Sequence, residues 1–414
     1  MCFGRHEMQL RKYVDKMGQT LAYSPLNSWE STLAINERRA LDYFKARLWP
    51  LLSAVSGPFA PPGFLAIQSR TILSTTCLLA DAHRRISDKR NSDRNLQQSR
   101  LGCFETVRRE LASADLNKLS LVNLLVAILL LYFLDGFVES LQPSASTESH
   151  HAGAMAVIAS LGGFEYALIG PQNEMSMLLS EFASTDLTSV LLHGKRLCLP
   201  ASIWNHIEEG AVWWPKETFG TQSLASIFGT MARMAEYRQS LQEGAAPFAM
   251  ERIRDFEQKL QPSYDCLMND DIEEEQERNV DESVVRAKLQ SHALCRAFQH
   301  SAFINLYRAI CNLPSNHSLV QQHVESCREC IKGMSNQDKI HNCAIFPLLI
   351  TGAHTFIEEE QHFISERLDS IYRIIKFEAV LSVKTALQNL WGTISQYATW
   401  NDMFGGLAQA ALVL

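Results

Sequence analysis

The chain has 414 residues and a formal net charge of −7, so its bulk lacks the excess of positive charge with which proteins bind nucleic acid. Apolar residues make up 46% of it, which is ample for a large core, and its ten cysteines are scattered as in proteins with reduced thiols. Residues 1–20 lack the apolar stretch of a signal peptide, so the composition favours a cytosolic or nuclear protein over a secreted one.

Helices joined by polar turns are predicted along the whole chain. Residues 1–35 are expected to form an N-terminal tail that includes a short helix. The first convincing helix is predicted at residues 36–55, where Pro50 kinks or ends it, and the second at residues 64–85. The apolar side chains that share one face of the first helix are Leu41, Phe44 and Leu48.

The most apolar run of the chain, residues 119–134, is about sixteen residues long and contains Ser120 and Asn123. A helix that spans a bilayer needs roughly twenty apolar residues. We therefore interpret this run as a core helix that is buried on all sides and extends to about residue 138.

The next part of the chain is predicted to contain a turn at residues 142–151 and a short helix at residues 153–163. Gly162 and Gly163 are expected to end that helix, because glycine adopts the left-handed conformation of helix C-termini without strain. A further helix is predicted to begin near Asn173.

Two later helices are predicted on either side of an acidic stretch. The apolar residues that recur in phase in the first of them are Leu224, Ile227, Met231 and Met234. Residues 265–283 are strongly acidic and are interpreted as a solvated loop at an internal boundary. In the second helix, Ser318 and Gln321 are expected to form a capping box, and Gly333 is expected to end it.

Residues 343–400 carry the strongest helical pattern, because two apolar sets recur at spacings of three and four residues. The first set is Ile364, Leu368, Ile371 and Ile375, and the second is Val380, Val383, Leu387, Leu390 and Ile394. The predicted fold class is all-α, with one large multi-helix domain of stacked antiparallel helices at residues 36–414.

One CxxC motif occurs in the chain, formed by Cys327 and Cys330, with His323 one helical turn before it and His341 and Cys343 nearby. A zinc site built on such a motif usually has a second CxxC or an HxxxH pair, which the sequence lacks. We therefore predict no metal site, and we interpret the motif as a helix with two cysteines and an exposed histidine.

A second candidate for metal chemistry is the segment 354–362. Glu359 and His362 form one ExxH motif, and His354, Glu358 and His362 are assigned to one helical face. A di-iron carboxylate site needs a second ExxH motif on another helix, and none is found. The segment is therefore interpreted as a charged, solvated face.

Residues 84–109 are rich in arginine but contain acidic residues and lack interleaved aromatic residues. DNA contact and a solvated loop between helices are the two interpretations, and the loop is favoured. No phosphate-binding glycine loop and no GxSxG motif occurs, so neither a cofactor nor a catalytic residue is predicted.

Three tryptophans, Trp204, Trp213 and Trp214, lie in a segment of low regularity. Their indoles are either the wall of a ligand pocket or the cap of a helical core. They are the candidate ligand-binding residues of the chain.

Several segments follow one another in an order that is typical of one protein family. The closest local match is HHAGAMAVIASLGG at residues 150–163, with Phe182 and Asp186 at the expected distance after it. The other matching segments are residues 37–53, 71–85, 124–137 and 346–371, and then Trp391. Over residues 36–404 the chain thus resembles the fungal-specific transcription factor domain, the regulatory middle homology region of fungal zinc-binuclear-cluster transcription factors.

The resemblance implies a helical regulatory domain without catalytic residues, which acts when a partner or a metabolite shifts its conformation. Members of this family usually carry six cysteines near the N-terminus, which hold two zinc ions beside a basic stretch that reads DNA. Residues 1–35 contain only Cys2. The resemblance therefore implies no direct DNA contact by this chain, and a truncated gene model, an isolated regulatory domain and a relative that lost DNA binding all stay open.

The expected function is that of a fungal transcriptional regulator, or a regulator-like protein, in the nucleus or in both nucleus and cytoplasm. Control of a metabolic or secondary-metabolite gene set is expected. The expected partners are the transcription machinery or another regulator, a small-molecule effector and a second copy in a homodimer, but no membrane. The alternative functions are a small-molecule-binding protein or pathway enzyme on the same helical shell, and a structural accessory subunit.

Overall fold

The described residues of the computed structural model are 33–53, 69–89, 94–112, 117–168, 173–207, 212–214, 222–261, 282–336, 339–393, 398–404, 407 and 410–414. Within these ranges the chain forms sixteen α-helices and no strand, which confirms the predicted all-α multi-helix fold. Most of the predicted tail at residues 1–35 and of the predicted acidic loop at residues 265–283 lies outside the described residues.

Six helices form the first part of the chain. They are α1 (Ile35–Tyr43), α2 (Arg70–Ser87), α3 (Arg94–Leu111), α4 (Lys118–Phe133), α5 (Thr147–Ser160) and α6 (Phe164–Leu168). A π-turn and a 3-10 turn extend α1 to Leu52, and Pro50 lies in the 3-10 turn, where its missing N–H group costs no helical hydrogen bond. The predicted apolar face of this element is buried as expected.

The core helix α4 begins after Asn117, whose side chain accepts a hydrogen bond from the N–H of Ser120 at 2.9 Å. A π-turn, Leu134–Val138, continues it. The span Lys118–Val138 is long and apolar enough to cross a membrane, but 83% of its most apolar window is buried inside the protein. This burial confirms the prediction of a helix enclosed in a large core.

Four helices form the middle of the chain: α7 (Asn173–His193), α8 (Ile203–Ile207), α9 (Leu224–Gln242) and α10 (Met250–Leu260). The predicted in-phase apolar side chains of α9 are all buried. Helix α9 packs between α7 and the long helix that follows α10, so the middle helices connect the first part of the core to the last.

Six helices form the last part: α11 (Glu282–Asn305), α12 (Ser318–Gly333), α13 (Ile345–Ala353), α14 (Glu358–Ile375), α15 (Glu378–Thr393) and α16 (Trp400–Phe404). Both predicted apolar sets of residues 343–400 are buried, apart from Ile394, which lies outside the described residues. The Nε1 atom of Trp391 donates to the carbonyl of Gly352 at 2.8 Å, which ties α15 to α13.

An extended segment, residues 411–414, is buried between helices of the first and last parts. The hydroxyl of Thr188 donates to the carbonyl of Val413 at 2.6 Å. The carbonyl of Leu414 accepts from the N–H groups of Ile345 and Phe346, at 3.1 and 3.2 Å, which are free donors at the start of α13. The segment therefore stabilises the contact between the two parts.

Two local predictions are wrong: the turn at residues 142–151 and the capping box of α12. Helix α5 begins at Thr147, so the end of the predicted turn at residues 142–151 is helical. The N-cap of α12 is His317, whose Nδ1 accepts from the N–H of Leu319 at 3.2 Å. Gln321 is thus no part of a capping box, because its amide donates to the carbonyls of Ser315 and His354.

Candidate functional site

Helix α7 is unusual because it is buried on nearly all sides although it is rich in polar residues. Its buried polar residues are Ser176, Ser180, Glu181, Ser184, Thr185, Asp186 and Thr188. Buried polar groups need hydrogen-bond partners, because an unpaired one costs about 1–3 kcal/mol. The partners of these seven side chains therefore separate the structural residues from the candidate site residues.

Three hydroxyl groups at the centre of α7 are satisfied by carbonyls of the preceding turn. Ser180 donates to the carbonyl of Met177 at 2.9 Å, and Ser184 donates to the carbonyl of Ser180 at 2.7 Å. Thr185 donates to the carbonyl of Glu181 at 2.9 Å. Such bonds to the preceding turn remove the cost of burying a hydroxyl, so these residues have a structural role.

The two buried carboxyl groups of α7, those of Glu181 and Asp186, differ from these hydroxyl groups because their hydrogen bonding is incomplete. Within the described part of the chain, Oε2 of Glu181 and Oδ2 of Asp186 are buried and have no hydrogen-bond partner. Burial raises the pKa of Glu181 well above its usual range. These two atoms are candidates for contact with a ligand.

Asp186 lies beside a histidine and a cysteine from two other elements. Its Oδ1 atom is 2.7 Å from Nε2 of His151, which projects from α5. Cys198 lies in the exposed segment that follows α7, and its thiol is the third member of the group. One ligand atom of each residue lies within 4.8 Å of the other two, and we call this group the His–Asp–Cys cluster.

Aromatic rings form the inner wall of the His–Asp–Cys cluster. The ring centroids of His151 and Phe182 are 5.0 Å apart, and Tyr132 packs edge-on against Phe182 at 5.2 Å. The hydroxyl of Tyr132 lies 3.3 Å from Oγ1 of Thr185, and burial raises the pKa of this phenol, which stays protonated. The cluster is thus closed by rings on the core side and open at Cys198.

The three candidate tryptophans, Trp204, Trp213 and Trp214, are all buried. The ring of Phe228 packs edge-to-face against Trp204 at 5.0 Å and against Trp214 at 5.6 Å. The Nε1 atom of Trp213 donates to Oγ of Ser184 at 3.0 Å. The ligand pocket at these indoles stays a prediction, and the neighbouring residues 208–211 and 215–221 lie outside the described ranges.

The arginine-rich run at residues 84–109 is helical from Arg94, so its interpretation as a solvated loop is wrong. Arg85 and Arg100 are largely buried and bind the two oxygens of Glu139, at 2.5 and 2.7 Å. Arg100 also binds Asp135, whose second oxygen lies 3.2 Å from Nε2 of His150. The two guanidinium groups hold α2 and α3 against the π-turn after α4, so they are not free to contact DNA.

The residues of the CxxC motif do not assemble into a cluster. His323 is half-buried rather than exposed, because its ring stacks on Phe303 at 4.3 Å and its Nδ1 lies 2.9 Å from Nδ1 of His300. Cys327 is buried, and its thiol contacts the carbonyl of Ala297 at 3.4 Å. Both the contacts and the burial are those of core residues.

His354 does not share a helical face with Glu358 and His362, because α13 ends at Ala353, with His354 as its C-cap, and α14 begins only at Glu358. The imidazole of His354 is buried: its Nδ1 donates to the carbonyl of Ile350 at 2.8 Å, and its Nε2 accepts from Nε of Arg308 at 3.2 Å. His362 is exposed and pairs with Glu366 at 3.1 Å, as expected for a solvated face.

The His–Asp–Cys cluster was not predicted from the sequence as a site. His151 and Asp186 were noted only as parts of the family resemblance, and Cys198 was not singled out. The one signal in the sequence that points to it is Asp186, an acidic residue among the apolar and small residues of α7. The spacing of the three residues carries no motif, because they come from three different elements.

The comparisons with known proteins agree with the order of the helices. The family model of the fungal specific transcription factor domain matches residues 39–405, which is most of the chain. Neither the curated proteins nor the solved structures gave a match. The predicted resemblance is thereby confirmed, and the chain belongs to the fungal-specific transcription factor domain family.

Proposed function

We propose that this chain regulates transcription through contacts that its helical domain makes with other proteins in the nucleus. The observation that carries the proposal is the family match over residues 39–405. Contact with proteins rather than with DNA is also favoured by Arg85 and Arg100, because these two arginines of the most basic run are engaged in internal ion pairs. The helical domain acts as a regulatory module rather than as an enzyme.

A surface suited to such contacts lies at the start of α14. Phe356 and Ile357 are exposed at 50% and 54%, and three glutamates at residues 358–360 follow them. Exposed apolar side chains with a polar rim are typical of protein–protein contacts, and we call Phe356 and Ile357 the apolar patch.

The finer parts of the proposal concern partners and targets. The transcription machinery or a second regulator contacts the helical domain, and a small molecule shifts its conformation. The regulated genes form a metabolic or secondary-metabolite set. A homodimer is compatible with the apolar patch, because a two-fold contact uses the same surface on both copies.

A tethering experiment tests the proposal without the need for DNA binding by this chain. The full chain is fused to an unrelated sequence-specific DNA-binding module and expressed in a fungus that carries a reporter with the matching operator. The fusion is expected to raise or lower reporter transcription relative to the DNA-binding module alone. Equal reporter transcription from the fusion and the module, at equal protein abundance, would contradict the proposal.

A folding control separates lost contacts from lost structure. Leu131 is buried in the last turn of α4, so Leu131→Asp places a charge in the core and unfolds the domain. The Leu131→Asp fusion is therefore expected to have no effect on the reporter. If it acted like the wild-type fusion, the effect would not depend on the helical fold.

A further inference from the structure

We propose that His151, Asp186 and Cys198 form a binding site for one zinc ion. Imidazole nitrogen, carboxylate oxygen and thiolate sulfur are the three ligand types that zinc takes from proteins. In the described part of the chain, these three residues bring one ligand atom each to within 4.8 Å of the others. The proposal concerns binding only and does not depend on the proposed function.

The state of Asp186 is an independent indication of a ligand. The residue is 5% exposed, so its carboxylate is almost completely removed from water. One oxygen pairs with His151, but Oδ2 is buried and has no hydrogen-bond partner within the described residues. A buried oxygen of this kind carries an uncompensated desolvation cost, and a coordinated cation would remove it.

The geometry needs only a small rearrangement. Ligand atoms in a tetrahedral zinc site are about 3.5 Å apart, given metal–ligand distances of about 2.0–2.3 Å. His151 and Asp186 are held by α5 and α7, so an ion would separate their hydrogen-bonded atoms slightly and replace the shared proton. Cys198 lies in the non-helical residues 194–200 and is exposed, so its side chain is the one free to move inward.

The charges and protons of the binding step balance. Zinc adds two positive charges, while the carboxylate of Asp186 and the thiolate of Cys198 supply two negative charges, so the loaded site is neutral. The thiol proton of Cys198 leaves to solvent. The proton that Nε2 of His151 shares with Asp186 moves to Nδ1 by exchange with solvent, so the neutral imidazole binds the ion through Nε2. Three protein ligands leave the fourth position to water, on the exposed side near Cys198.

The test uses the full chain, purified reduced and free of metal, with Co²⁺ as a spectroscopic substitute for zinc. The wild type is expected to bind one Co²⁺ with a thiolate-to-cobalt charge-transfer band, which Zn²⁺ abolishes on competition. Cys198→Ser is expected to lose the band. Asp186→Asn and His151→Gln are expected to weaken zinc binding by at least about 100-fold, since even the residues that only orient metal ligands contribute roughly 10- to 100-fold.

Cys330→Ser is the matched control, because Cys330 belongs to the CxxC motif whose residues do not assemble into a cluster. This variant is expected to keep both the band and the zinc affinity. Zinc is also expected to raise the melting temperature of the wild type and of Cys330→Ser but not that of Cys198→Ser, whose exposed position leaves folding intact. The proposal would be overturned if the wild type, saturated with Co²⁺, showed no thiolate-to-cobalt band. It would also be overturned if Cys198→Ser kept the band.

Discussion

The N–H of Leu412 donates to the carbonyl of Gly136 at 2.9 Å, and the Leu412 side chain fills the space where a side chain at position 136 would begin. Gly136 lies in the π-turn after the core helix, whereas Leu412 belongs to the buried segment of residues 411–414. The first and last parts of the domain thus meet at a position where only glycine fits.

Gly136→Ala is expected to lower the free energy of unfolding by about 1–3 kcal/mol, because a Cβ atom there would lie 2.2 Å from Cγ of Leu412. Gly102→Ala is the matched control, since a Cβ atom at this helical position meets nothing within 4 Å. That control is expected to stabilise the protein by roughly 0.5–1 kcal/mol. Urea denaturation measures both, and an equal effect of the two substitutions would contradict the close contact.

Arg100 is expected to be important for stability although it lies in an arginine-rich run. Arg100→Met removes the guanidinium that binds both Asp135 and Glu139 and leaves buried carboxylates less compensated, at a cost of about 3 kcal/mol. Arg84→Met, which breaks only an exposed pair with Asp81, is expected to change stability by less than about 1 kcal/mol. Similar denaturation midpoints for the two variants would show that the buried network does not stabilise the fold.

His341 is expected to make the protein less stable in acid. It is fully buried, and neither ring nitrogen has a hydrogen-bond partner in the part of the chain that the structure describes. Burial, with a contribution from Arg367, lowers the pKa of His341 to about 4. Because the unfolded chain keeps the ordinary pKa near 6.5, it binds more protons than the folded protein, and stability falls as the pH drops from about 6.5 towards 4.

The substitution His341→Leu removes this loss, which amounts to up to about 2 kcal/mol at pH 5. The variant is expected to match or exceed the wild-type stability at pH 7 and to exceed it more clearly at pH 5. His354→Leu is the contrast, because it removes hydrogen bonds to Ile350 and Arg308 and is expected to cost about 1–3 kcal/mol at pH 7. Melting curves at the two pH values check both predictions. If the stability difference between His341→Leu and the wild type were no larger at pH 5 than at pH 7, the lowered pKa of His341 would be contradicted.

The apolar patch is expected to carry the regulatory contact. In the tethered reporter, the double substitution Phe356→Ala and Ile357→Ala is expected to reduce the effect of the chain on transcription. Phe248→Ala with Met250→Ala is the matched control, because these side chains are exposed at 51% and 53% at the start of α10. Equal reporter effects of the two double variants would place the contact elsewhere.

The sequence predicts the helices well where side-chain spacing decides the structure. The set Ile364, Leu368, Ile371 and Ile375 lies on one stripe of α14 because a helix repeats every 3.6 residues, and all four side chains are buried. The ends of helices are less predictable. The apolar pattern of α5 does not predict that the helix begins at Thr147, because its first residues are polar.

The site residues were harder to predict, because their partners are distant in the sequence. The sequence predicts that Arg100 is solvated. In the structure its side chain binds Asp135 and Glu139, which are 35 and 39 residues away in the sequence. The His–Asp–Cys cluster depends likewise on the packing of α5 against its neighbours and on the path of the chain after α7. No local spacing encodes either arrangement, whereas the order of segments along the chain predicts the family, which the match over residues 39–405 confirms.

Rapid depletion of the protein tests its regulatory role most directly. A degradable tag on the chromosomal copy, followed by sequencing of newly made transcripts within minutes of depletion, separates direct effects from later ones. A defined set of genes is expected to change transcription at once, and the wild-type chain, but not Leu131→Asp, is expected to restore it. Unchanged transcription of all genes after complete depletion, under conditions in which the protein is normally present, would contradict a role as a transcriptional regulator.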